Sequence, residues 1–221
     1  AAQLFHGGRY VRSAMIGRQP IAPSPIASSI TREVPREMTL DDIQDTIANF
    51  AQAAARARKA GFDAVEVLAG TGYLISEFFS PLTNRRTDEY GGSPERRMRF
   101  GIEVAWAIRE AVGPDYTVIF RIAGHDFMAG GNTNKEAARF AYMLEQHGVD
   151  AFSVTGGWHE TAVPQITMDV PRGAFVHLAS GVKAAVTRPV IACNRINDPD
   201  LAERILRDGR ADLVGLARAL L

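Results

Sequence analysis

The chain has 221 residues, and its 25 Lys plus Arg are balanced by 25 Asp plus Glu. That length suits one domain with a substantial core. The zero net charge gives no electrostatic case for a nucleic-acid or membrane-surface partner. Cys193 is the only cysteine, which excludes an internal disulfide and makes a reducing, cytoplasmic setting the expectation. No apolar stretch approaches the ~20 residues that cross a bilayer, and "AAQLFHGGRY" does not read as a signal peptide.

"AAQLF" (1–5) predicts the first strand. A polar cluster at 6–10 follows, and residues 11–38 are long enough to read as an ordered, functional loop. In 41–60, Ile43, Ile47, Phe50, Ala54 and Ala57 form one apolar stripe at helical spacing. "AVEVL" (64–68) predicts a second strand, with a second long segment at 69–95; Ser93-Pro94 then caps a helix whose first position is proline. "TVIFRIA" (117–123) is the third strand, and Thr133 with Glu136 opens a helix over 134–147 that carries Ala137, Phe140 and Leu144 on one side. "AFSVT" (151–155), "PVIAC" (189–193), the Asp198-Pro199 cap and "ADLVGLA" (211–217) complete the series, with Gly61, Gly113, Gly148 and Gly209 at helix ends. The runs are nearly continuous in apolar residues, as expected of parallel strands covered on both faces.

Six strands alternating with helices mean an α/β fold, either a TIM (β/α)8 barrel or a doubly wound sheet. Polar or glycine-rich clusters follow five strands, at 6–10, 69–77, 124–132, 156–160 and 194–198. A barrel gathers such ends around one site, whereas a doubly wound sheet concentrates its ligand chemistry at one switch point. The barrel is therefore predicted, over 1–221 as a single domain. Because the chain starts and ends on strands, it is expected to be incomplete, lacking the first two strands and the closing helix.

Several side chains stand out against this frame. Arg121 lies inside an apolar strand, where its charge is costly without an anion; a bound ligand or Glu66 would compensate it. "TGGWHE" (155–160) ends a buried strand in two glycines followed by Trp158, His159 and Glu160. The glycines suggest a sharp turn beside a planar ligand, and Trp158 a pocket wall. The arginine-rich "TNRRTDEYGGSPERRMRF" also holds Asp88, Glu89 and Glu95, so internal pairing is expected rather than an anion patch. Cys193 reads as a small core residue. No set of side chains reads as a metal site.

"QLFHGGR" (3–9), "GYLISEFFSPLTNRRTDEYGGSPERRMRF" (72–100), "FRI" (120–122), "CNRIND" (193–198) and "GLARALL" (215–221) together resemble the Old Yellow Enzyme family of FMN-dependent oxidoreductases. The resemblance runs nearly end to end and corresponds to barrel strands three to eight. Ordinary members place a carbonyl-binding His, with Asn or His, where this chain has Leu68 and Thr71. "GGWHE" and "VPRGAF" (170–175) are instead similar to the 2,4-dienoyl-CoA reductase and 2-enoate reductase subgroup. The resemblance implies Tyr73 as proton donor assisted by His159, with Trp158, Glu160, Thr161 and Ala162 on the substrate side. It implies an FMN site formed by Gln3, Arg121, Arg195, Ala217 and Arg218, and electrons from NAD(P)H. Where dienoyl-CoA reductases set an arginine against the acyl-CoA, this chain has Leu82, which argues against a CoA thioester. Relatives carry a 4Fe-4S cluster and FAD after the barrel, in a region beyond this chain.

The chemistry of the pair is independently reasonable. Reducing a polarised C=C bond needs hydride at one carbon and a proton at the other. A phenol, with a reference pKa near 10, is a poor acid at pH 7 unless a neighbour stabilises the phenolate. An imidazole within hydrogen-bond reach can do so and relay a proton from solvent. The hydride must come from a cofactor. The expected activity is an FMN-dependent ene-reductase acting on an α,β-unsaturated acid or acyl-CoA. Two alternatives stay open: a flavin barrel run oxidatively as an amine dehydrogenase, and a flavin-free segment with a binding or scaffold role. The oligomeric state, including a homo-oligomer, stays open as well.

Overall fold

A computed structural model describes every residue except Pro164, Ile166 and Leu221, the last of these being the end of the "GLARALL" motif. In chain order the elements are β1 (Ala2–Leu4), α1 (Ser13–Ile16), β2 (Ile21–Ala22), β3 (Arg36–Glu37), α2 (Leu40–Lys59), β4 (Ala64–Ala69), α3 (Leu74–Phe79), α4 (Pro94–Val112), β5 (Thr117–Ala123), α5 (Asn134–Glu145), β6 (Ala151–Thr155), α6 (Val176–Lys183), β7 (Val190–Ala192), α7 (Pro199–Arg207) and β8 (Leu213–Val214). Each of the six expected strands is present. β2 and β3 form a separate two-stranded parallel ladder inside the 11–38 segment, whose sequence predicts a loop.

The local signals act where they were read. All five stripe residues of α2 are buried. Ser93 caps α4 ahead of Pro94, Asp198 caps α7 ahead of Pro199, and the Glu136 carboxylate accepts the Thr133 backbone N–H at 2.9 Å. Gly61, Gly113, Gly148 and Gly209 have φ of 88°, 69°, 92° and 65°, the left-handed region that a residue with a Cβ enters only at a cost. No helix among the described residues is long and apolar enough to cross a membrane.

The main sheet has the order β1-β4-β5-β6-β7-β8, and every pair is parallel. The order runs monotonically along the chain with no reversal. A doubly wound sheet needs a switch point, so this is an arc of a (β/α)8 barrel, and β1 and β8 do not pair among the described residues.

The expectation that both faces of the strands are equally apolar is not met. Val65, Val67, Val118, Phe120, Ile122, Phe152, Val154, Val190 and Ala192 are buried in one core shared with the helices. The alternate positions Glu66, Leu68, Arg121, Ser153 and Ile191 line cavities on the other face. The period-2 alternation of a strand thus separates a core face from a ligand-facing face, which the near-continuous apolar runs concealed. The core is set by aromatic stacking, with Phe78 on Phe100 (centroids 4.2 Å) and Phe79 on Phe140 (4.7 Å). The arginine-rich loop pairs inward as expected: buried Arg86 holds Asp88 at 2.5 Å and the carbonyls of Pro23 and Met38. Glu95 pairs instead with Arg139 of α5.

Candidate active site

All six strands are parallel, so their C-terminal ends share one edge, and the loops that follow them build a groove there. One lobe, about 480 Å³, is lined by Glu66, Arg121, Ser153, Cys193, Asn194 and the Arg195–Asn197 and Gly215–Ala219 turns. A second lobe, about 630 Å³, is lined by Gln3, Leu68, Thr71, Tyr73, Trp158, His159, Thr161, Val163 and Gln165. Arg121, Asn194 and Arg218 border both lobes, so the two are contiguous. Their sizes fall within the range of small-molecule sites.

Arg121 sits at the centre. It pairs in register with Leu68 and Ser153, and its Nε is buried without a hydrogen-bond partner among the described residues. Glu66 does not compensate it: the Glu66 Oε1 accepts from the Gln3 side-chain amide at 2.5 Å instead. A permanently charged donor with no acceptor among the described residues is costly unless a ligand in the groove supplies one. Arg195 and Arg218 add two more cations, and the side chain of Arg195 is tethered through Nε to the Val170 carbonyl at 2.8 Å. Gly215 is needed where it stands, because a Cβ there would come within 2.7 Å of the Cys193 Sγ. The donor set, three guanidiniums and a turn of exposed backbone, fits an anionic, phosphate-bearing cofactor such as FMN. Cys193, just after β7, is buried against the Ser153 hydroxyl at 3.4 Å.

Tyr73 and His159 approach from different strands. Thr71 (φ 58°) and Gly72 (φ 91°) turn the chain after β4, and Tyr73 caps α3. The loop after β6 is tied to this turn by the His159 N–H on the Thr71 carbonyl, 3.2 Å. The rings of Tyr73 and His159 meet edge to face, with centroids 5.2 Å apart. The expected phenol–imidazole hydrogen bond is not formed; the contact is aromatic, and neither polar tip has a protein partner among the described residues. Such bonds in ligand-free sites are often long and tighten on binding. Tyr73 is half-buried and His159 exposed at the rim. Burial still lowers the His159 pKa below the ordinary imidazole value, partly offset by the Glu160 carboxylate.

Two aromatic neighbours escaped sequence reading. Phe5 lies 5.2 Å from Tyr73, and Tyr10 packs edge to face on both Tyr73 (5.9 Å) and His159 (5.5 Å). Tyr10 is no competing acid, because its hydroxyl donates to Glu160 at 2.8 Å, and burial together with that bond raises its pKa. Trp158 lines the groove and is fixed by its Nε1–H on Asp126 Oδ1, 2.9 Å. Burial pushes Asp126 up to about 6 against bonds from Asn132, Ser80 and Trp158.

Three sequence expectations need correction. Glu160 does not line the groove. Its carboxylate is consumed by Arg9, Tyr10 and the Ser29 N–H. Ala162 is exposed and lines neither lobe. The "GG" pair does not clear space for a ligand either: a Cβ on Gly156 would strike the Phe175 ring at 2.7 Å, and Gly157 is needed for its φ of 73°. Thr161 does line the groove, with its hydroxyl on the Trp158 carbonyl at 2.9 Å. Gln3, Tyr73, Arg121, Trp158, His159 and Arg218 thus converge on one lobe, and Arg121, Arg195, Ala217 and Arg218 on the other.

The chain is similar to a metal reductase of Desulforamulus reducens, 59% identical over 220 residues that cover all of this chain and 33% of that protein. It is 43% identical to an NADH oxidase of Thermoanaerobacter brockii, over 99% of this chain and 34% of that one. Among solved structures, a 2-naphthoyl-CoA reductase complexed with 2-naphthoyl-CoA superposes with a TM-score of 0.92 at 38% identity, over 97% of this chain and 35% of that one. The chain therefore spans about a third of the length of these relatives. The FMN-dependent barrel family, described as NADH:flavin oxidoreductase / NADH oxidase, matches residues 1–221. With the parallel arc, the cationic groove and this full-length match in agreement, the chain belongs to the NADH:flavin oxidoreductase / NADH oxidase family.

Proposed function

We propose that the protein is an FMN-dependent ene-reductase that reduces the C=C bond of an α,β-unsaturated carboxylic acid or its CoA ester, with electrons from NAD(P)H. The observation that carries this reading is the charge of the groove beside a phenol–imidazole pair. The lobe holding Tyr73 and His159 is bordered by Arg121 and Arg218, and no described residue of its lining is a carboxylate.

In this reading residues 1–221 form one FMN-binding domain. Gln3 and Arg121 hold the ring system, with the Arg121 Nε meeting the acceptor it lacks among the described residues; Arg195, Ala217 and Arg218 hold the phosphate. When bound, FMN supplies the hydride. Tyr73 holds a proton at Oη for the second carbon, and His159, nearer solvent, returns one to it. Trp158 and Thr161 wall the substrate against the flavin side.

The oxidative amine reading gains two aromatics, Phe5 and Tyr10, but Tyr10 already has a cationic partner. The Arg9 guanidinium already lies over the Tyr10 ring at 5.5 Å and the Trp158 ring at 5.8 Å. Two of the rings to which a substrate ammonium could make cation–π contacts are thus already engaged, and the lobe offers it no carboxylate among the described residues. Anionic substrates are favoured.

The test uses the full-length protein. FMN released from the purified protein, separated chromatographically from any FAD, removes the scaffold reading. Reduced protein is then mixed with unsaturated carboxylates, and oxidised protein with secondary and tertiary amines. Rapid reoxidation by an enoate supports the proposal; flavin reduction by amines with no response to enoates refutes it.

A further inference from the structure

We propose that Glu160 is a positioning residue: its one carboxylate ties the loop after β1 and the 27–31 segment to the turn after β6, and so fixes how His159 meets Tyr73. This rests on the ene-reductase reading for its kinetic consequence, though not for its geometry.

The connections are long-range and converge on the two oxygens of one carboxylate. Glu160 Oε2 takes both the Arg9 guanidinium and the Tyr10 hydroxyl, and Oε1 takes the Ser29 N–H at 2.6 Å. Arg9 in turn donates from Nη1 to the Ala27 carbonyl at 2.9 Å, and its own carbonyl accepts from the Thr31 hydroxyl at 3.0 Å. The Arg9 and Glu160 side chains are 5% and 8% exposed, so their charges are desolvated and each is bound to need the other. The Tyr10 ring, held through its hydroxyl, packs edge to face on both Tyr73 and His159. There is no slack on the opposite side: a Cβ on Gly72 would fall 2.4 Å from the Tyr10 Oη and 2.8 Å from the Trp158 ring.

A second consequence is electrostatic. The charged and titratable groups around His159 are Glu160 next to it, Arg9 behind Tyr10, the phenols of Tyr10 and Tyr73, and Arg121 and Arg218 across the groove. Glu160 is the only anion among them. Bonds from Ser29 and Tyr10 and the charge of Arg9 overcome burial and hold its carboxyl below the ordinary range. A carboxylate that stays ionised keeps the neighbouring imidazole more basic than burial alone would leave it.

The test compares Glu160→Gln, Glu160→Asp and Tyr10→Phe in the full-length flavin-loaded protein, with two readouts. One is the titration of His159 by 13C-histidine NMR, assigned with His159→Gln. The other is single-turnover reoxidation by an enoate. Glu160→Gln is expected to lower the His159 titration midpoint and to slow reoxidation by about 10²-fold, the usual consequence of a small misplacement of a reacting group, at unchanged flavin content. Glu160→Asp should restore the midpoint more than the rate, because it keeps the charge but not the reach. Tyr10→Phe should leave the midpoint and lower the rate less. A slowed reaction with an unmoved midpoint in Glu160→Gln would mean simple destabilisation and overturn the proposal, as would wild-type behaviour in both readouts. If Glu160→Gln does not fold, Glu160→Asp and Tyr10→Phe decide: a wild-type rate in both sinks it. Failure of the wild-type protein to react with any enoate sinks the ene-reductase reading alone, and the titration still decides the clamp.

Discussion

Replacing Tyr73 by phenylalanine removes one oxygen from the centre of the groove. The structure separates its effect on stability from its effect on rate. The Tyr73 ring is held by Phe5, Tyr10 and His159, contacts that phenylalanine keeps, and the hydroxyl has no protein partner among the described residues to lose. The change in unfolding free energy is therefore expected within the ~0.5 kcal/mol of a neutral substitution. The rate should fall by about 10²–10⁴-fold, the contribution of a positioned acid, which is about 3–5 kcal/mol of barrier at ~1.36 kcal/mol per tenfold. His159→Ala should cost less, since a water at the exposed rim can replace part of a proton relay. The assay is anaerobic single turnover in the full-length protein, with flavin reduced beforehand and mixed with an enoate, and with thermal unfolding and reduction by NAD(P)H as controls. Tyr73→Phe reoxidising at the wild-type rate while His159→Ala is inactive would refute the assignment and make the histidine the donor.

Three further outcomes follow from particular atoms. Arg121→Met should abolish FMN retention through gel filtration yet leave the FMN-free protein no less stable, because it removes a buried Nε that has no partner among the described residues; retained FMN would contradict the site. Gly72→Ala should cost at least the ~1–3 kcal/mol of a residue forced into the left-handed region, plus displacement of Tyr10 and Trp158, measured by urea unfolding. Glu77 is fully buried beneath Gly8 and Arg9, and burial pushes its carboxyl up to about 8 against the Arg9 N–H bond and charge. Its folded value is raised, so its favourable contribution is complete below about pH 4.5 and is lost as pH rises through about 8. Glu77→Gln should therefore gain stability over wild type between pH 5 and pH 8–9, with ~5 kcal/mol as the ceiling for a shift of that size; a difference that does not change with pH would show that the carboxyl is ionised throughout.

The parts of this molecule that local chemistry fixes were legible. A strand of five or six apolar residues, a stripe at helical spacing and a proline behind a serine or aspartate each determine structure within one turn of chain. The groove's membership was legible for the same reason, because residues just past parallel strands must share an edge. What could not be read were partnerships across distance. The family resemblance sets Glu160 on the substrate side, yet its partners Arg9, Tyr10 and Ser29 lie more than 130 positions upstream, and no local pattern joins them. One usable signal was an arginine and a tyrosine, Arg9-Tyr10, placed after the first strand with no nearby acid in the sequence. Likewise, whether Arg121 pairs with Glu66 depended on Gln3, which competes for the same carboxylate from the neighbouring strand.

Backbone strain divides the two ends of the arc in a way that bears on function. Where helices return to strands, the left-handed positions are glycines: Gly61, Gly113, Gly148 and Gly209. There the turn is all that is required, and glycine makes it without a Cβ penalty. Where strands lead into the groove, Thr71, Phe127, Asn194 and Arg195 take φ of 58°, 52°, 69° and 55° despite their side chains. Glycine would relieve that strain, which costs of order 1–3 kcal/mol at each site, but it would delete a needed side chain. Thr71, Asn194 and Arg195 line the lobes, the Asn194 Oδ1 accepts the Gly156 N–H at 3.2 Å, and Phe127 packs on Phe175 and His125. The strain is tolerated because the opposite face of the same strands is locked into the core, so β4, β5 and β7 cannot relax to release it. A rigid sheet with strained, side-chain-bearing exits is a means of holding a constellation in place before any ligand arrives, and it is the groove end, not the helix-return end, where this chain has spent its stability.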